Sequence, residues 1–320
     1  MDEHILHSFI LDNDGKWINL NKKMPEDVRY KFHWLHLHRE SVNTQKWLYE
    51  ADFDEMIIDS LTDSDTRPRT TVFPDGVLLN MRVVNTDNED YPHNMLSMRL
   101  FIEKNRIVST SLKDIHILKD IIEVMHGTYP PTSKNEFLSY MIELITDRIE
   151  PYVAENREII FDMECNLIDD SELPKQSTIS EVRRSVITFA RYLAPQKEAL
   201  MKLMTLKEHN FSQDDKIVVT ESINSTRRYL EDLESTNNRC HIMKDDISAL
   251  SAEKMNRNMY MLSIVTAVFL PLSFLTGLLG INVGGIPGSD NPHGFRNFSL
   301  ILIAVFILQF ILIRISRKFK

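Results

Sequence analysis

Glycine, proline and cysteine are all scarce in this 320-residue chain, at nine, twelve and two residues. So few glycines and prolines exclude a long flexible linker, and no low-complexity segment or short internal repeat is present. Cys165 and Cys240 are far apart and form no C-x-x-C. That spacing excludes a disulfide framework and a zinc finger and fits reduced thiols in a cytosolic body. Met1-Asp2-Glu3-His4 has neither the basic nor the apolar region of a secretory signal. No nucleophile–base pair, P-loop, G-x-G-x-x-G or H-E-x-x-H occurs, so no enzymatic activity is expected. A basic surplus is missing as well: the formal net charge is −9, which argues against a nucleic-acid partner. An acidic body permits a cation-attracting surface, and it serves ordinary solubility equally well.

What is present is unevenly distributed. Hydrophobic residues make up 43% of the chain and the mean hydropathy is −0.23, too low for a protein made mostly of membrane spans. Most of the chain should therefore be soluble, as one large domain with additions or as two domains. The last residues, Arg314, Arg317, Lys318 and Lys320, form a basic tail without acid. Residues 263–313 hold only Asp290 and Arg296 as formal charges. The acid surplus lies ahead of them.

The first third reads as mixed strand and helix. Residues 32–37, 77–84 and 95–102 have strand composition, the last two as half-buried strands, and 106–109 follows as a partner after a Lys104-Asn105 turn. Residues 41–60 read as a helix capped by Ser41. From about Asp114 strand signals vanish. Residues 114–125 are one amphipathic helix. Residues 134–167 read as one longer helix that Pro151 bends rather than ends. A break at 171–174 precedes a helix over 177–207 with Pro195 inside it. The final helix spans about 214–279, with no glycine before Gly277 and no proline before Pro271. A periodic stretch of that length means a coiled coil, a membrane span, or one feeding the other.

No Asp, Glu, Lys or Arg occurs from Asn258 to Ser289. The apolar part, 259–279, has the length of about 20 residues that a helix needs to cross a bilayer. A second run, 298–313, lies near the short limit and can extend its reach with Asn297 and a snorkelling Arg314. Lys254 and Arg257 precede the first span, and the basic tail follows the second. The positive-inside rule then puts both termini in the cytosol and the loop outside.

Steps of three and four through the first span pick out Asn256, Met259, Ser263, Thr266, Leu270, Ser273, Gly277 and Gly280, a face of mostly small or polar residues. Between them lie large ones such as Leu262, Ile264, Val265, Val268, Phe269 and Phe274. Two readings fit the stripe. Small residues let helices pack closely in lipid, and the same face could line an axial water-filled pore; in a symmetric ring the two merge. The same phase runs back through Ala252 and Ala249 to Asp245. Asp245 is either one member of a cytosolic cation-attracting ring or a solvent-facing stalk acid. Pro271 interrupts the backbone ladder within the span.

Gly280-Ile281-Asn282, followed by Val283-Gly284-Gly285-Ile286-Pro287-Gly288, resembles the CorA superfamily of two-span metal transporters, and within it the ZntB zinc-transport branch. Phe269-Leu270-Pro271-Leu272-Ser273-Phe274-Leu275-Thr276-Gly277 is similar to a stretch of that branch. So are Trp34-Leu35-His36-Leu37, Thr66-Arg67-Pro68-Arg69, Ile107-Val108-Ser109-Thr110 and Arg191-Tyr192-Leu193-Ala194-Pro195-Gln196. The resemblance implies a funnel-shaped homopentamer: an α/β cytoplasmic domain (1–130), helical region and stalk (131–257), pore-lining span (258–281), external loop (282–297), second span (298–314) and basic tail (315–320). It implies a ring of Asn282 at the outer mouth that binds a hydrated divalent cation, with Gly280 for the tight turn and Ile281 packing it. It further implies a bacterial inner-membrane location, no bound cofactor, zinc as the transported ion, and proton coupling as an option.

The magnesium branch usually carries Tyr-Gly-Met-Asn and a following Met-Pro-Glu stretch. Here Leu279 precedes Gly280, Ile281 stands for Met, and Gly288 follows Pro287. The loop is left with Asp290 and His293 as candidate proton or ion contacts, or as ordinary loop residues. The alternatives are a magnesium, cobalt or nickel channel of the same build, or a membrane-tethered metal sensor without transport. The neighbouring His33, His36 and His38 are expected at solvent faces or strand ends, because three ligands from one strand cannot converge on a metal. Cys240 and His241 are adjacent on a helix and point apart.

Overall fold

A computed structural model describes residues 4–25, 29–64, 67–85, 95–168, 174–206, 211–281, 286 and 291–318. The chain divides into two compact units, Met1–Lys244 and Asp245–Lys320. The order of elements is β1 (Ile5–Asp12), β2 (Trp17–Asn19), β3 (Tyr30–His38), α1 (Val42–Glu50), α2 (Glu55–Thr62), β4 (Arg69–Phe73), β5 (Gly76–Val84), β6 (Met95–Ile102) and β7 (Arg106–Ser111), then α3 (Ile117–His126), α4 (Lys134–Asp147), α5 (Glu150–Ile168), α6 (Gln176–Thr205), α7 (Gln213–Leu279) and α8 (Gly294–Lys318).

The first unit is an α/β layer structure. Its seven strands run β2-β1-β3-β7-β6-β5-β4, antiparallel throughout except for the parallel pair β3–β7. Side chains alternate between the two faces, and both faces are covered. On one, Phe9, Trp34, Leu79, Met81, Met98 and Leu100 join Leu118, Ile121, Phe137, Met141, Leu200 and Leu203 of the later helices. On the other, Leu35, Leu37, Leu78, Phe101 and Val108 lie beneath Leu48, Ile57, Ile58 and Leu61 of α1 and α2. The expectation of half-buried strands is therefore corrected: β5 is buried from Val77 to Val84. A chain covered on both sides of its sheet loses the clean polar alternation that marks a solvated face.

Two helices expected to be continuous are each divided. Ser41 does cap α1, accepting from the Asn43 amide. But Asp52 takes φ +61° and Asp54 caps a new helix, so 41–60 holds both α1 and α2. The 134–167 helix stops at Arg148, which pairs with Asp120 of α3, and restarts after Ile149, which is wholly buried. Pro151 thus sits in the first turn of α5, where a missing N–H is harmless. The proline, which cannot bond the Asp147 carbonyl, coincides with the break, and the tie to α3 and the burial of Ile149 hold the two helices there.

The segment Arg191–Gln196 closes an edge. β4 pairs with β5 only as far as Asn80, which leaves the Arg82 amide without a strand partner on that side. The Gln196 Oε1 accepts from it at 2.8 Å. The Arg82 guanidinium lies 4.3 Å over the Tyr192 ring, and Thr70 donates to the Ala199 carbonyl at 2.6 Å. A buried side chain that caps an unpaired sheet N–H removes the cost of an orphaned donor.

The histidines of β3 also depart from expectation. His33 and His36 are buried, at 1% and 0% exposure, although they do take opposite faces. His33 bonds the Ser8 hydroxyl at 3.1 Å. His36 lies between Ser109 at 2.7 Å and Ser111 at 2.9 Å. The Ser111 hydroxyl proton goes to the Lys113 carbonyl, so His36 Nε2 donates to Ser111 and its Nδ1 accepts from Ser109. This satisfies a neutral imidazole, and a second proton on Nδ1 would require the Ser109 hydroxyl to turn to the Leu35 carbonyl, 3.4 Å away.

Burial lowers the His36 pKa to about 3, helped by His7 and His38, and lowers that of His33 to about 4, helped by Arg106. Groups held neutral in the fold but free to protonate when unfolded contribute stability that is complete above the unfolded value near 6.5 and lost as pH falls below it. Hydrogen exchange at β3 amides of the full-length protein in detergent, corrected for intrinsic rates, is therefore expected to lose protection from pH 6.5 down to about 4. A His36→Gln variant should show a shallower loss. Protection independent of pH over this window would contradict the neutral assignment.

Candidate functional site

The second unit holds the end of α7 and all of α8, two helices long and apolar enough to cross a membrane. The stripe residues of α7, Asn256, Met259, Ser263, Thr266, Leu270, Ser273, Gly277 and Gly280, are all exposed in the single chain. Asp245, Ala249 and Ala252 are exposed as well. The half-buried positions of the span are Ile264, Val268, Pro271, Leu272 and Leu275. Those of α8 are Gly294, Phe298, Ser299, Leu302, Val305, Gln309 and Ile313. Each set recurs at three- and four-residue steps, as one flank of a helix does. The hairpin thus packs along a flank of α7 that contains none of the stripe. No formal charge lies in α7 between Arg257 and its end.

The hydroxyls of the stripe are oriented by the helix itself. Ser263 donates to the Met259 carbonyl at 2.9 Å, and Thr266 to the Leu262 carbonyl at 2.9 Å. Thr276, beside the stripe, donates toward Leu272 and Ser273 at 3.0 Å each. A hydroxyl whose proton is spent on the preceding turn turns its lone pairs outward. Those outward lone pairs on Ser263 and Thr266 are uncharged acceptors able to bond the water shell of a hydrated cation.

The turn after α7 depends on Gly280. A Cβ there would lie 2.7 Å from the Thr276 carbonyl oxygen, well inside contact distance. The Gly280 amide closes the turn by donating to the Gly277 carbonyl at 3.2 Å. Gly277 has open space where its side chain would be. Ile281 is half exposed, at 50%. Asn282 and Asp290 lie outside the described residues. His293 stands immediately before α8: its amide donates to Asn291 Oδ1 at 2.9 Å, and its carbonyl accepts from Asn297 at 3.0 Å. That cap lets α8 begin at Gly294, a turn ahead of the apolar run at 298. The helix that carries the second apolar run is thus 22 residues long over Gly294–Ile315, a turn longer at its start than the run itself. Among the described residues no cluster of three or more His, Cys, Asp or Glu could hold a metal ion. The sequence reading passed over Gln309, whose signal was plain: a carboxamide in the middle of an apolar helix.

The family model for CorA-like Mg2+ transporter protein matches residues 30–317. The zinc transport protein ZntB of Pectobacterium carotovorum is 31% identical over 93% of this chain and 91% of its own. The divalent cation transporter CmaX of Pseudomonas aeruginosa is 35% identical, covering 86% and 84%. The solved structure of full-length CmaX superposes with a TM-score of 0.84 at 31% identity, over 99% of both chains. The α/β unit, long helix and C-terminal apolar hairpin are shared along the whole chain.

The two glycines separate a close approach from open space. Gly280→Ala should lower thermal stability in detergent by about 1–3 kcal/mol, the usual cost of forcing an atom into packed structure. Gly277→Ala should leave the chain as stable or slightly more so, since alanine favours a helix interior by about 1 kcal/mol. Equal melting temperatures for both variants would refute the close contact at Gly280.

Proposed function

Since the chain belongs to the family of CorA-like Mg2+ transporter proteins, we propose that it carries divalent cations, zinc in particular, through a membrane along the striped face of α7. The observation that carries this reading is the packing of α8 on a flank of α7 other than the stripe. A face of small and hydroxylated residues left open to lipid would be wasteful; closed into a ring with copies of itself it forms an axial passage. We take the ring as a homopentamer in a bacterial inner membrane, with both termini cytoplasmic by the positive-inside rule.

In this reading, Asp245 draws cations toward the cytosolic end by a charge that salt screens. Asn256, Met259, Ser263, Thr266, Leu270, Ser273 and Gly277 line the passage. Ser263 and Thr266 offer the outward lone pairs described above. Gly280 and Ile281 place Asn282 at the outer mouth, where neutral amide oxygens hold a hydrated ion. Strongly hydrated cations shed water reluctantly, so an acceptor ring that bonds the hydration shell avoids the cost of stripping it. Asp290 and His293 supply the titratable groups of the loop through which a proton gradient could act.

Zinc is favoured by the relatives named for zinc transport and by the loop, which has no acid between Val283 and Ser289. The family description favours a magnesium reading. Uptake into liposomes by the reconstituted protein, with magnesium, cobalt and nickel as competitors and with and without a pH gradient, separates the two. Zinc uptake should exceed magnesium uptake. Asn282→Ala should lower zinc uptake by about tenfold, equivalent to about 1.4 kcal/mol on the barrier. Ser273→Trp should abolish it by filling the stripe, while Asp245→Asn should lower it at low salt and leave it unchanged at high salt. Undiminished zinc uptake by Asn282→Ala would remove the outer-mouth role, and undiminished uptake by Ser273→Trp would reduce the stripe to packing.

A further inference from the structure

Gln309 places a carboxamide in the middle of an apolar helix, where hydrocarbon exacts a cost for every unbonded polar group. Its Nε2 lies 3.5 Å from the backbone oxygen of Ala267 in α7. That oxygen stands four residues ahead of Pro271, and the N–H that would have bonded it along the helix is the one proline lacks. The nearby hydroxyls do not replace it: Ser263, Thr266 and Thr276 donate to Met259, Leu262, Leu272 and Ser273. Among the described residues the Oε1 of Gln309 meets no donor, so the Ala267 carbonyl is what orients the group.

We propose that Gln309 is a positioning residue for the pore helix: its side-chain amide bonds the Ala267 carbonyl that Pro271 orphans and thereby ties α7, at its proline, to α8. A polar side chain on a neighbouring helix is one of the recognised ways a proline becomes tolerable inside a membrane helix. The contact falls between the stripe residues Thr266 and Leu270. It divides the stripe into an inner part, Asn256 to Thr266, and an outer part, Leu270 to Gly277. A tie at this point fixes where the outer part stands against α8 as it runs toward Gly280. At 3.5 Å the contact is longer than the usual N–H···O bond, so the tie is a weak one. Its effect on flux rests on the transport reading above; the contact itself does not.

Four forms of the full-length protein in liposomes test this: the natural sequence, Gln309→Met, Pro271→Ala and the double variant. With carbonyl-13C alanine and 15N valine, solid-state NMR shows cross-peaks only from Ala-Val pairs, which are Ala267-Val268 and Ala304-Val305 in this sequence. Gln309→Met should shift the Ala267 carbonyl signal and lower zinc uptake by about threefold, the effect of an average interhelical side-chain hydrogen bond in a membrane protein. With Pro271→Ala, the new backbone N–H occupies the carbonyl, and Gln309→Met should then change neither quantity. An Ala267 signal that ignores Gln309→Met overturns the contact. A shifted signal with unchanged uptake overturns the positioning role. So does an equal loss of uptake in both backgrounds, which would make Gln309 a packing residue. The carbonyl signal decides the contact even without zinc uptake by the natural protein, a result that would strike only the transport reading.

Discussion

A bilayer supplies no water to an unpaired backbone group, and that constraint organises the second unit of this protein. The first span must be helical from end to end, yet it contains Pro271, and a helix with proline inside it owes a donor to the carbonyl four residues back. α8 lies on the flank where Ala267 exposes that carbonyl, and it carries Gln309 at the level required. The flank that α8 covers takes Ile264, Val268, Leu272 and Leu275, and leaves exposed both the stripe and the large residues Leu262, Val265, Phe269 and Phe274. Of these exposed residues, the stripe holds the small ones, with the Ser263 and Thr266 hydroxyls anchored to their own helix. The proposed passage follows from how the hairpin must pack, since no charged residue marks it.

The first unit answers the same demand in water. Its sheet is covered on both faces, so every strand group has to find a partner inside the protein. Gln196 serves the amide of Arg82 where β4 falls short. Ser109 and Ser111 between them hold a fully buried imidazole neutral. Several segments that resemble the family prove to hold the sheet together. Trp34 and His36 both bond Ser109, and Tyr192 and Gln196 both address Arg82. Gly280, by contrast, serves the turn beyond the span.

Much of this was legible in the sequence, and the reasons differ by element. The long helix and its charge-free end stand out because glycine, proline and charge are absent together over a long stretch. The strands at 32–37, 77–84 and 95–102 show their β-branched and aromatic content. β1, β2 and β4 went unseen: β2 and β4 are only three and five residues long, and β1, though longer, has no clean alternation. The division at Asp52 carries a local signal, the Asp54 cap, and that at Arg148–Ile149 lies just ahead of Pro151, while the ion pair of Arg148 with Asp120 that ties it to α3 is tertiary and announced by no local pattern. The histidines of β3 were misjudged for the same reason: their serine partners lie on strands far off in sequence. At the candidate site, the periodic stripe was visible from its spacing, while the role of Gln309 required knowing which carbonyl of α7 it faces.

The most direct measurement is the reactivity of single cysteines, placed one at a time from residue 256 to 280 in a protein lacking Cys165 and Cys240, toward a small water-borne thiol reagent in liposomes. Cysteines at 259, 263, 266, 270, 273 and 277 should react, zinc should protect them, and those at 264, 268, 272 and 275 should stay inert. Reactivity concentrated at 262, 265 and 269, or absent along the whole span, would mean that no aqueous passage follows the striped face.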